Sequence, residues 1–434
     1  MIFGIDTYKE RIAIITDDGT RLTYGELAER VAARAKELQK GVLQFCLCRN
    51  SIESIVAYLA CLEAGAPVVL LDATKDAETI ENLRKIYKPG ETKCHLDLAL
   101  CLTTSGSTGS PKLVRLTKQN LMSNAEAIAE YLHIDENERP ITMLPMYYSY
   151  GLSIINSHLI KGATILLTDK TYAQREFWNF LRENEATSMA GVPYTWEVLR
   201  RFRFFRMDLP SVKTLTQAGG KLNADIVREY IENAQQTGRQ FIVMYGQTEA
   251  TARMSYLPWD KAMDKCGSVG IVVPGGRFEL IDNQGNIVHN TNVDGELVYY
   301  GENVSMGYAE CAEDLLRGDE NHGRLATGDI AHRDQDGYYY ITGRLKRFVK
   351  IWGNRCNLDQ LEQIVKTVTT SCACVGVDDC VTVFTTQDGV EQEIKSLLST
   401  KTGLNIRAFQ VKILDKIPTT LSGKLDYTAM QKMI

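Results

Sequence analysis

Several features that identify common protein classes are missing from this sequence of 434 residues. No apolar run approaches the roughly 20 residues that a membrane-spanning helix needs, so we expect no membrane span. Basic residues are not in excess, because the formal net charge is −5, and this argues against nucleic acid as a partner. The N-terminal residues 1–6 contain no basic stretch followed by an apolar core, so we expect no signal peptide and a cytoplasmic protein.

The cysteines lack the pattern of a disulfide framework or of a zinc site. There are 11 of them, an odd number, and no histidine or second cysteine pair stands at zinc spacing around them. The pairs Cys46/Cys48 and Cys372/Cys374 alternate within apolar runs, as buried strand residues do. We therefore expect reduced thiols in the core. Internal repeats, low-complexity tracts and long linkers are also absent.

The sequence does contain short apolar strands that alternate with amphipathic helices. Residues 41–48, 51–64 and 66–71 predict a strand, a helix and a strand. The alternation continues through a predicted strand at Ile141–Leu144 to a predicted helix at Arg175–Glu183. This alternation is typical of βαβ units and predicts a parallel sheet.

The pattern changes twice in the second half of the chain. After Gly246 short strands are separated by turns rich in Asp and Gly, and near residue 345 helices return. We therefore predict an α/β protein with a large N-terminal domain of parallel αβ layers, residues 1–344, that includes a small β subdomain at about 255–344. A small α+β C-terminal domain follows at residues 345–434.

The segment after the apolar run 98–102 has the composition of a phosphate-binding loop. Glycines let several backbone N–H groups converge on one anion, and hydroxyls and a lysine add donors and positive charge. The spacing is not that of a Walker loop, because Pro111 directly precedes Lys112. A flexible Ser/Gly linker has a similar composition. The candidate phosphate ligands are Thr104, Ser105, Gly106, Ser107, Thr108, Gly109 and Lys112.

Two further motifs follow predicted strands. An aromatic ring, a hydroxyl and a carboxylate at the carboxyl end of a strand suit a base, a phosphate and Mg²⁺, although ordinary strand-to-helix turns look alike. A pair of glycines after the preceding strand lets backbone approach a base edge, or forms a plain turn. The candidates are Tyr245, Gly246, Gln247, Thr248 and Glu249 in the first motif, and Ala218, Gly219 and Gly220 in the second.

Two motifs near the C-terminal end complete the set. Asp329 and Arg344 flank a turn at 334–337, which predicts a hairpin that brings the two side chains together. A carboxylate accepts hydrogen bonds from two ribose hydroxyls and an arginine bridges sugar and phosphate, whereas a surface Asp/Arg pair is the plain alternative. Lys424 ends a Pro/Ser/Gly loop at 418–424, where a lone lysine is commonly just solvated.

Together these segments resemble the adenylate-forming enzymes, which include acyl-CoA synthetases, peptide-synthetase adenylation domains and firefly-type luciferases. The resemblance runs in the family's order from about Thr23 to Lys424. It implies that a small carboxylic acid and ATP form acyl-AMP and pyrophosphate, followed by acyl transfer to a thiol or an amine. The implied cofactors are ATP and Mg²⁺, with CoA or phosphopantetheine as the acceptor.

The resemblance also implies a role for each candidate. Thr248, Glu249 and Lys424 would be catalytic: Thr248 contacts the α-phosphate, Glu249 binds Mg²⁺, and Lys424 bonds the carboxylate and the α-phosphate. The loop from Ser105 to Lys112 would hold the β- and γ-phosphates. The remaining nucleotide ligands would be Ala218, Gly219 and Gly220 with Tyr245 at adenine, Asp329 at the ribose, and Gly246, Gln247 and Arg344 beside them. Lys346, two positions after Arg344, would be the hinge of domain rotation.

Departures from the family pattern bear on the substrate. We assign the acyl pocket to Tyr148, Tyr150 and Gly191, with Tyr148 where many acyl-CoA synthetases have histidine. Ser149 stands where amino-acid-activating members place an aspartate, so α-amino acids are disfavoured because their ammonium group would lack a partner. The sequence contains no carrier-domain motif, so an acyl carrier protein would be a separate partner.

Three functions therefore stay open. The leading one is a stand-alone acyl or aryl acid ligase that uses CoA or a carrier protein. An acyl-adenylate enzyme with an amine acceptor and a non-catalytic nucleotide-binding homologue are the alternatives, and retention of both Glu249 and Lys424 favours an enzyme. The basic and aromatic stretch 200–206 is either a contact for CoA or an acidic carrier, or the end of an ordinary amphipathic helix.

Overall fold

The computed structural model describes residues 1–103, 112–419 and 425–434, apart from the side chains of Lys346 and Arg355. The candidates Thr104 to Gly109 and Lys424 therefore lie outside the described residues. Within the described ranges, none of the helices has the length and apolarity to cross a membrane.

The helices begin and end where local side chains favour it. Thr23 caps the first helix in a capping box with Glu26, and Gly65 ends the second helix in the left-handed conformation at φ 64°. The helix predicted at Arg175–Glu183 has the predicted bounds. The helices of the described residues are α1 (Tyr24–Ala35), α2 (Ile52–Ala64), α3 (Ala77–Tyr87), α4 (Lys118–Tyr131), α5 (Ser149–Leu159), α6 (Arg175–Glu183), α7 (Pro193–Arg201), α8 (Ala224–Gln236), α9 (Leu358–Val365), α10 (Glu391–Thr402) and α11 (Tyr427–Gln431).

Most strands are short, and two central strands, residues 68–72 and 98–103, carry near-continuous apolar runs, as strands buried on both faces do. The strands of the described residues are β1 (Ile12–Thr16), β2 (Arg21–Thr23), β3 (Gln44–Cys48), β4 (Val68–Asp72), β5 (Leu98–Thr103), β6 (Leu113–Thr117), β7 (Ile165–Leu167), β8 (Ser188–Gly191), β9 (Thr214–Gln217), β10 (Gln240–Tyr245), β11 (Ser255–Tyr256), β12 (Ile271–Val272), β13 (Arg277–Ile281), β14 (Gly295–Tyr300), β15 (Gly307–Ala309), β16 (Arg324–Arg333), β17 (Tyr339–Arg344), β18 (Phe348–Ile351), β19 (Asn354–Asn357), β20 (Cys372–Val377), β21 (Cys380–Thr385) and β22 (Phe409–Ile413).

The chain divides into two compact units. The first contains Met1–Phe278 and Tyr299–Leu325, and the second contains Glu279–Val298 and Ala326–Ile434. The predicted α/β class with parallel sheets is confirmed. The predicted boundary between residues 344 and 345 concerns which part of the chain moves, and it stays a prediction.

The first unit is built on two five-stranded sheets. One has the order β15-β6-β5-β4-β3, with β3, β4 and β5 parallel. In β4, Val68 and Leu70 join the core formed with α1, α2, α4 and α5, whereas Val69 and Leu71 join a second core with α3. Alternate side chains thus cover both faces of the sheet. A smaller sheet has the order β2-β1-β7.

The second five-stranded sheet has the order β12-β11-β10-β9-β8, and β8, β9 and β10 are parallel. The strand predicted at Ile141–Leu144 is wrong. The structure has only single bridges there, from Pro140 to Ser188 and from Ile141 to Leu166. The physical reason is that proline has no N–H to donate, and Pro140 and Pro145 bracket a segment too short to form a ladder of its own.

The second unit contains three small sheets. Their orders are β13-β14-β16-β17, β18-β19 and β20-β21-β22. Cys372 and Cys374 on β20 face a core formed with α9 and α10. All 11 cysteines of the chain are free thiols, and the prediction that Cys46, Cys48, Cys372 and Cys374 are buried strand residues is confirmed.

Candidate functional site

Most predicted site residues of the first unit meet at one edge of its second sheet. The parallel register pairs Gly191 of β8 and Val243 of β10 with Gln217 of β9. The chain therefore leaves all three strands at the same edge, where open α/β sheets bind ligands. Gly191, Ala218 to Gly220 and Tyr245 to Glu249 all lie there, and the Ala218 N–H donates to the Gly191 carbonyl at 3.3 Å.

The motif at 245–249 leaves β10 through a strained turn. A Cβ on Gly246 would stand 1.8 Å from the carbonyl oxygen of Ala252, so only glycine fits. A short 3-10 helix spans Thr248–Ala250, after which Thr251 and Ala252 have φ values of 54° and 106°. Ala252 is a backbone outlier, and such strain persists only where the surrounding structure fixes it.

Glu249 is held by a residue that the sequence analysis did not identify. The Tyr308 hydroxyl donates to Oε1 of Glu249 at 2.8 Å. Burial, and then the negative charge of Glu249, raise the pKa of Tyr308, so this phenol stays a protonated donor at neutral pH. Glu249 is half-buried, and no described side chain bonds its Oε2.

This arrangement fits the magnesium ligand that the resemblance implies. Among the described residues no group of three or more His, Cys, Asp or Glu side chains is placed to hold a metal ion. Mg²⁺ at nucleotide sites does not need such a group, because one or two carboxylates, water and the phosphates themselves coordinate it. Glu249, with one carboxylate oxygen fixed and the other not engaged by described side chains, suits that role.

Lys112 contacts the same tyrosine from another side. Its Nζ lies 3.6 Å from the centroid of the Tyr308 ring, and 3.8 Å from a carboxylate oxygen of Glu310. A cation over an aromatic face is attracted by the ring electrons. Lys112 and Glu249, predicted on separate motifs, thus meet around Tyr308.

The backbone of Tyr308 is fixed by a buried arginine. Arg115, fully buried on β6, donates from Nε to the Tyr308 carbonyl at 3.1 Å and from Nη2 to the Met306 carbonyl at 3.0 Å. The guanidinium also bonds the carbonyls of Arg317 and Gly318 and forms an ion pair with Glu320. Every donor nitrogen of Arg115 therefore has a partner, and the arginine holds β15 against β6.

Thr248 meets the start of α5. Its Oγ1 lies 3.2 Å from the Oγ of Ser149, the first residue of that helix. The segment that supplies the predicted acyl-pocket tyrosines is therefore hydrogen-bonded to the predicted catalytic motif.

The predicted acyl-pocket residues surround the end of β9. Gly219 has φ 86°, and a Cβ there would stand 2.6 Å from the Tyr148 hydroxyl, so glycine leaves room for this ring. The Tyr150 hydroxyl donates to the Thr216 carbonyl at 2.9 Å. Burial raises the pKa of both phenols, that of Tyr150 to about 12, so both are neutral at physiological pH. The Gly191 carbonyl accepts from the Trp196 indole at 3.1 Å.

A cavity of about 30 Å³ lies beside Tyr150. Tyr150 belongs to its wall, whereas Tyr148 and Gly191 do not. The wall also includes Arg253, a buried arginine that the sequence analysis did not identify.

In the second unit, the predicted hairpin is confirmed. Asp329 on β16 pairs in register with Arg344 on β17, and Nε of Arg344 lies 2.9 Å from Oδ1 of Asp329. The Asp329 side chain is only 2% exposed, whereas that of Arg344 is 63% exposed. The pair is thus a buried carboxylate with a solvent-facing arginine, rather than two surface side chains.

The predicted hinge residue follows that hairpin. The backbone of Lys346 lies in a 3-10 turn, Leu345–Arg347, between β17 and β18. Next to it, the Arg347 guanidinium lies 3.6 Å from the Tyr427 ring centroid and forms ion pairs with Asp359 and Glu362. The roles of Lys346 and of Lys424, which lies outside the described residues, stay predictions.

Known proteins are similar to this chain over most of its length. A sequence profile described as AMP-binding enzyme matches residues 5–85 and 82–309. The chain is 29% identical over 385 residues to oxalate–CoA ligase of Arabidopsis thaliana, with 84% of this chain and 72% of that protein covered. It is 27% identical over 465 residues to feruloyl-CoA synthase of an Amycolatopsis species, with 94% and 93% covered.

A solved structure is similar in fold over nearly the whole chain. It is o-succinylbenzoate CoA synthetase from Bacillus subtilis in complex with an acyl-adenylate intermediate, with a TM-score of 0.80 and 22% identity. The alignment covers 97% of this chain and 95% of that one.

Proposed function

The chain belongs to the AMP-binding enzyme family, and from that membership we propose that it activates a small carboxylic acid with ATP and transfers the acyl group to a thiol. In the first step a carboxylate oxygen attacks the α-phosphorus of ATP and pyrophosphate leaves. In the second step the thiol sulfur attacks the acyl carbon, the thiol proton is released and AMP leaves. The enzyme is thus an acid–thiol ligase.

The observation that carries this proposal is the meeting of Lys112, Thr248 and Glu249 in the first unit. Lys112 and Glu249 both contact Tyr308, and Thr248 precedes Glu249 in the same turn. Attack of an anionic acid on a phosphate brings like charges together, so donors and cations must be in place before the reaction. A carboxylic acid is already ionised at neutral pH, so the step needs no general base.

Mg²⁺ would be held by Glu249 and the phosphates, where it would withdraw negative charge from the departing pyrophosphate. The Tyr308 hydrogen bond fixes one oxygen of this carboxylate and leaves the other for the metal. A side chain at Gly219, after β9, would collide with the Tyr148 hydroxyl, so this position requires glycine. The backbone beside the predicted adenine position therefore carries no side chain there.

The family resemblance assigns roles to two further residues. Asp329, oriented by Arg344, would accept hydrogen bonds from the ribose hydroxyls. Lys424 would neutralise charge on the reacting carboxylate and the α-phosphate during the first step only. We propose that the enzyme is cytosolic. We also propose that residues 345–434 form its mobile domain and that Lys346 is the hinge.

CoA is the acceptor that we favour, because the two relatives described above are named as CoA ligases. The phosphopantetheine of a separate carrier protein presents the same thiol, and an amine is the alternative acceptor. The test is a panel of aliphatic and aryl acids in ATP–pyrophosphate exchange, followed by trials of CoA, a phosphopantetheinylated carrier and an amine. Exchange without transfer to any thiol would contradict the second half of the proposal, and no exchange with any acid would contradict the first.

The hinge has its own test. Lys346→Pro fixes φ near −65° and removes the backbone N–H. We expect the variant to form acyl-AMP but to transfer it slowly, as single-turnover measurements of the two steps would reveal. Transfer at the wild-type rate in a folded variant would place the hinge elsewhere.

A further inference from the structure

Arg253 is a buried cation without a counter-ion among the described residues. The residue is 3% exposed, and no described carboxylate lies within 4.0 Å of its guanidinium. Nη1 donates to the Ala252 carbonyl at 3.2 Å, and Nε has no hydrogen-bond partner. Burying a charge in this way is costly unless something pairs with it.

The neighbours of Arg253 are aromatic and neutral. Its guanidinium carbon lies 3.9 Å from the centroid of the Tyr150 ring. Burial raises the pKa of Tyr131 and Tyr150, against the opposing effect of the guanidinium, so neither phenol supplies a negative charge. Cation–π contact holds the guanidinium in place but gives its Nε no hydrogen-bond partner.

Apart from Arg253 and Glu138, the polar side chains of the cavity wall are hydroxyls and one histidine, and several of them bond to backbone. The hydroxyls of Ser153 and Ser157 donate to the carbonyls of Tyr150 and Ile154. His158 uses Nδ1 at 2.8 Å from the Ile154 carbonyl, and burial lowers its pKa to about 4, so it is neutral. Glu138 lines the wall too, but it accepts from Thr187 instead of pairing with Arg253. Arg253 is the wall's positive charge.

The size and position of the cavity suit the end of a substrate. About 30 Å³ holds one or two waters or a small polar group, and the wall includes the flexible side chains of Met189 and Met244. Met244 is on β10, the strand that leads into the Tyr245–Glu249 motif, and Arg253 follows the same turn. Tyr150 is next to Ser149, which contacts Thr248.

We propose that the acid activated by this enzyme carries a second carboxylate, at the end remote from the reacting one, and that Arg253 binds it. The inference rests on the proposed function, because it names the substrate class of that site. A bidentate contact between a carboxylate and the guanidinium would give Nε the partner it lacks and would neutralise the buried charge. A monocarboxylate of the same length would leave Nε without a partner and the charge of the guanidinium without a counter-ion.

The test uses matched pairs of acids in ATP–pyrophosphate exchange with the full chain. Each pair, aliphatic or aryl, differs only in a second carboxylate in place of a terminal methyl group or ring hydrogen. We expect at least one diacid to exceed its monoacid partner in kcat/KM by 10-fold or more. In Arg253→Met the ratio of diacid kcat/KM to monoacid kcat/KM should fall about 100-fold, mainly because diacid activity is lost. Arg253→Lys should recover part of the diacid activity.

Arg239→Met is the matched control, since Arg239 is also a buried arginine but does not line the cavity. It should leave the ratio unchanged. If Arg253→Met does not fold, the wild-type melting temperature decides: the diacid should raise it more than the monoacid at equal concentration. Activity with monoacids and no preference for diacids would overturn the second carboxylate while the proposed function stands. Exchange with no acid of either kind would instead count against the proposed function.

Discussion

Arg115 and Arg253 are both buried in the first unit, yet their surroundings differ in kind. Arg115 bonds four backbone carbonyls and Glu320, whereas Arg253 bonds one carbonyl and leaves Nε unpartnered. Every donor nitrogen of Arg115 has a partner within the protein, and this arginine holds Tyr308 beside Glu249. Arg253 has a donor nitrogen without a partner, as expected of a group whose partner is a ligand. The contrast separates a structural buried charge from one that binds substrate.

Replacing Arg115, whose donors all have partners within the protein, should have the largest effect on the free energy of unfolding. Arg115→Met removes the hydrogen bonds to four backbone carbonyls, and a buried acceptor that loses its donor costs about 1–3 kcal/mol. The free energy of unfolding should therefore fall by about 3 kcal/mol, even though Arg317 still pairs with Glu320 and the Tyr308 carbonyl. Arg253→Met should change it by less than about 1 kcal/mol or raise it, because nothing loses a carboxylate partner. Urea titration of both variants measures the difference. Equal destabilisation would erase the contrast between the two sites.

The cavity region should also respond to pH, through the buried His158 in its wall. Burial lowers the pKa of His158 from 6.5 to about 4, so the unfolded chain binds a proton more readily than the folded one between these values. The contribution is zero above pH 6.5, and stability is lost as the pH falls toward 4, by about 2 kcal/mol at pH 5. His158→Gln should lose that much less than the wild type between pH 7.5 and 5. A parallel loss in both proteins would mean that His158 is protonated when folded.

Glu249→Gln tests the region around Tyr308, which Arg115 holds in place, without unfolding the protein. The amide keeps the shape that Tyr308 contacts but removes the charge, so acyl-AMP formation should fall about 10-fold, or 1.4 kcal/mol, and depend less on Mg²⁺. Glu126→Gln, on the exposed surface of α4, is the matched control. Exchange rates measured against Mg²⁺ concentration decide the matter, and an unaltered metal dependence would remove Glu249 from the metal site.

Sequence reasoning found what local patterns encode. The turn at 334–337 is enough to predict that Asp329 meets Arg344, because the two strands of a hairpin pair in register. The helix at Arg175–Glu183 followed from its amphipathic spacing. Such features depend on neighbours within about 15 residues.

Features set by distant contacts escaped it. Tyr308 reaches Glu249 across 59 residues of sequence, and Arg253 meets Tyr150 on another element. No local spacing encodes either contact. The segment at 141–144 looked like a strand from its apolar residues alone, but the prolines that flank it limit its pairing to single bridges. The one usable signal for Arg253 was a charged residue close to the motif, four positions beyond Glu249.

The measurement that tests the proposed chemistry most directly is acyl-AMP formation by Lys424→Ala, with Lys416→Ala, an exposed lysine nearby, as the control. If Lys424 neutralises charge in the first step, its loss should slow carboxylate-dependent ATP–pyrophosphate exchange by on the order of 10²-fold and leave transfer from preformed acyl-AMP largely intact, while Lys416→Ala retains both. Equal losses in the two steps, or wild-type exchange in Lys424→Ala, would contradict the proposal that Lys424 neutralises charge in the adenylation step.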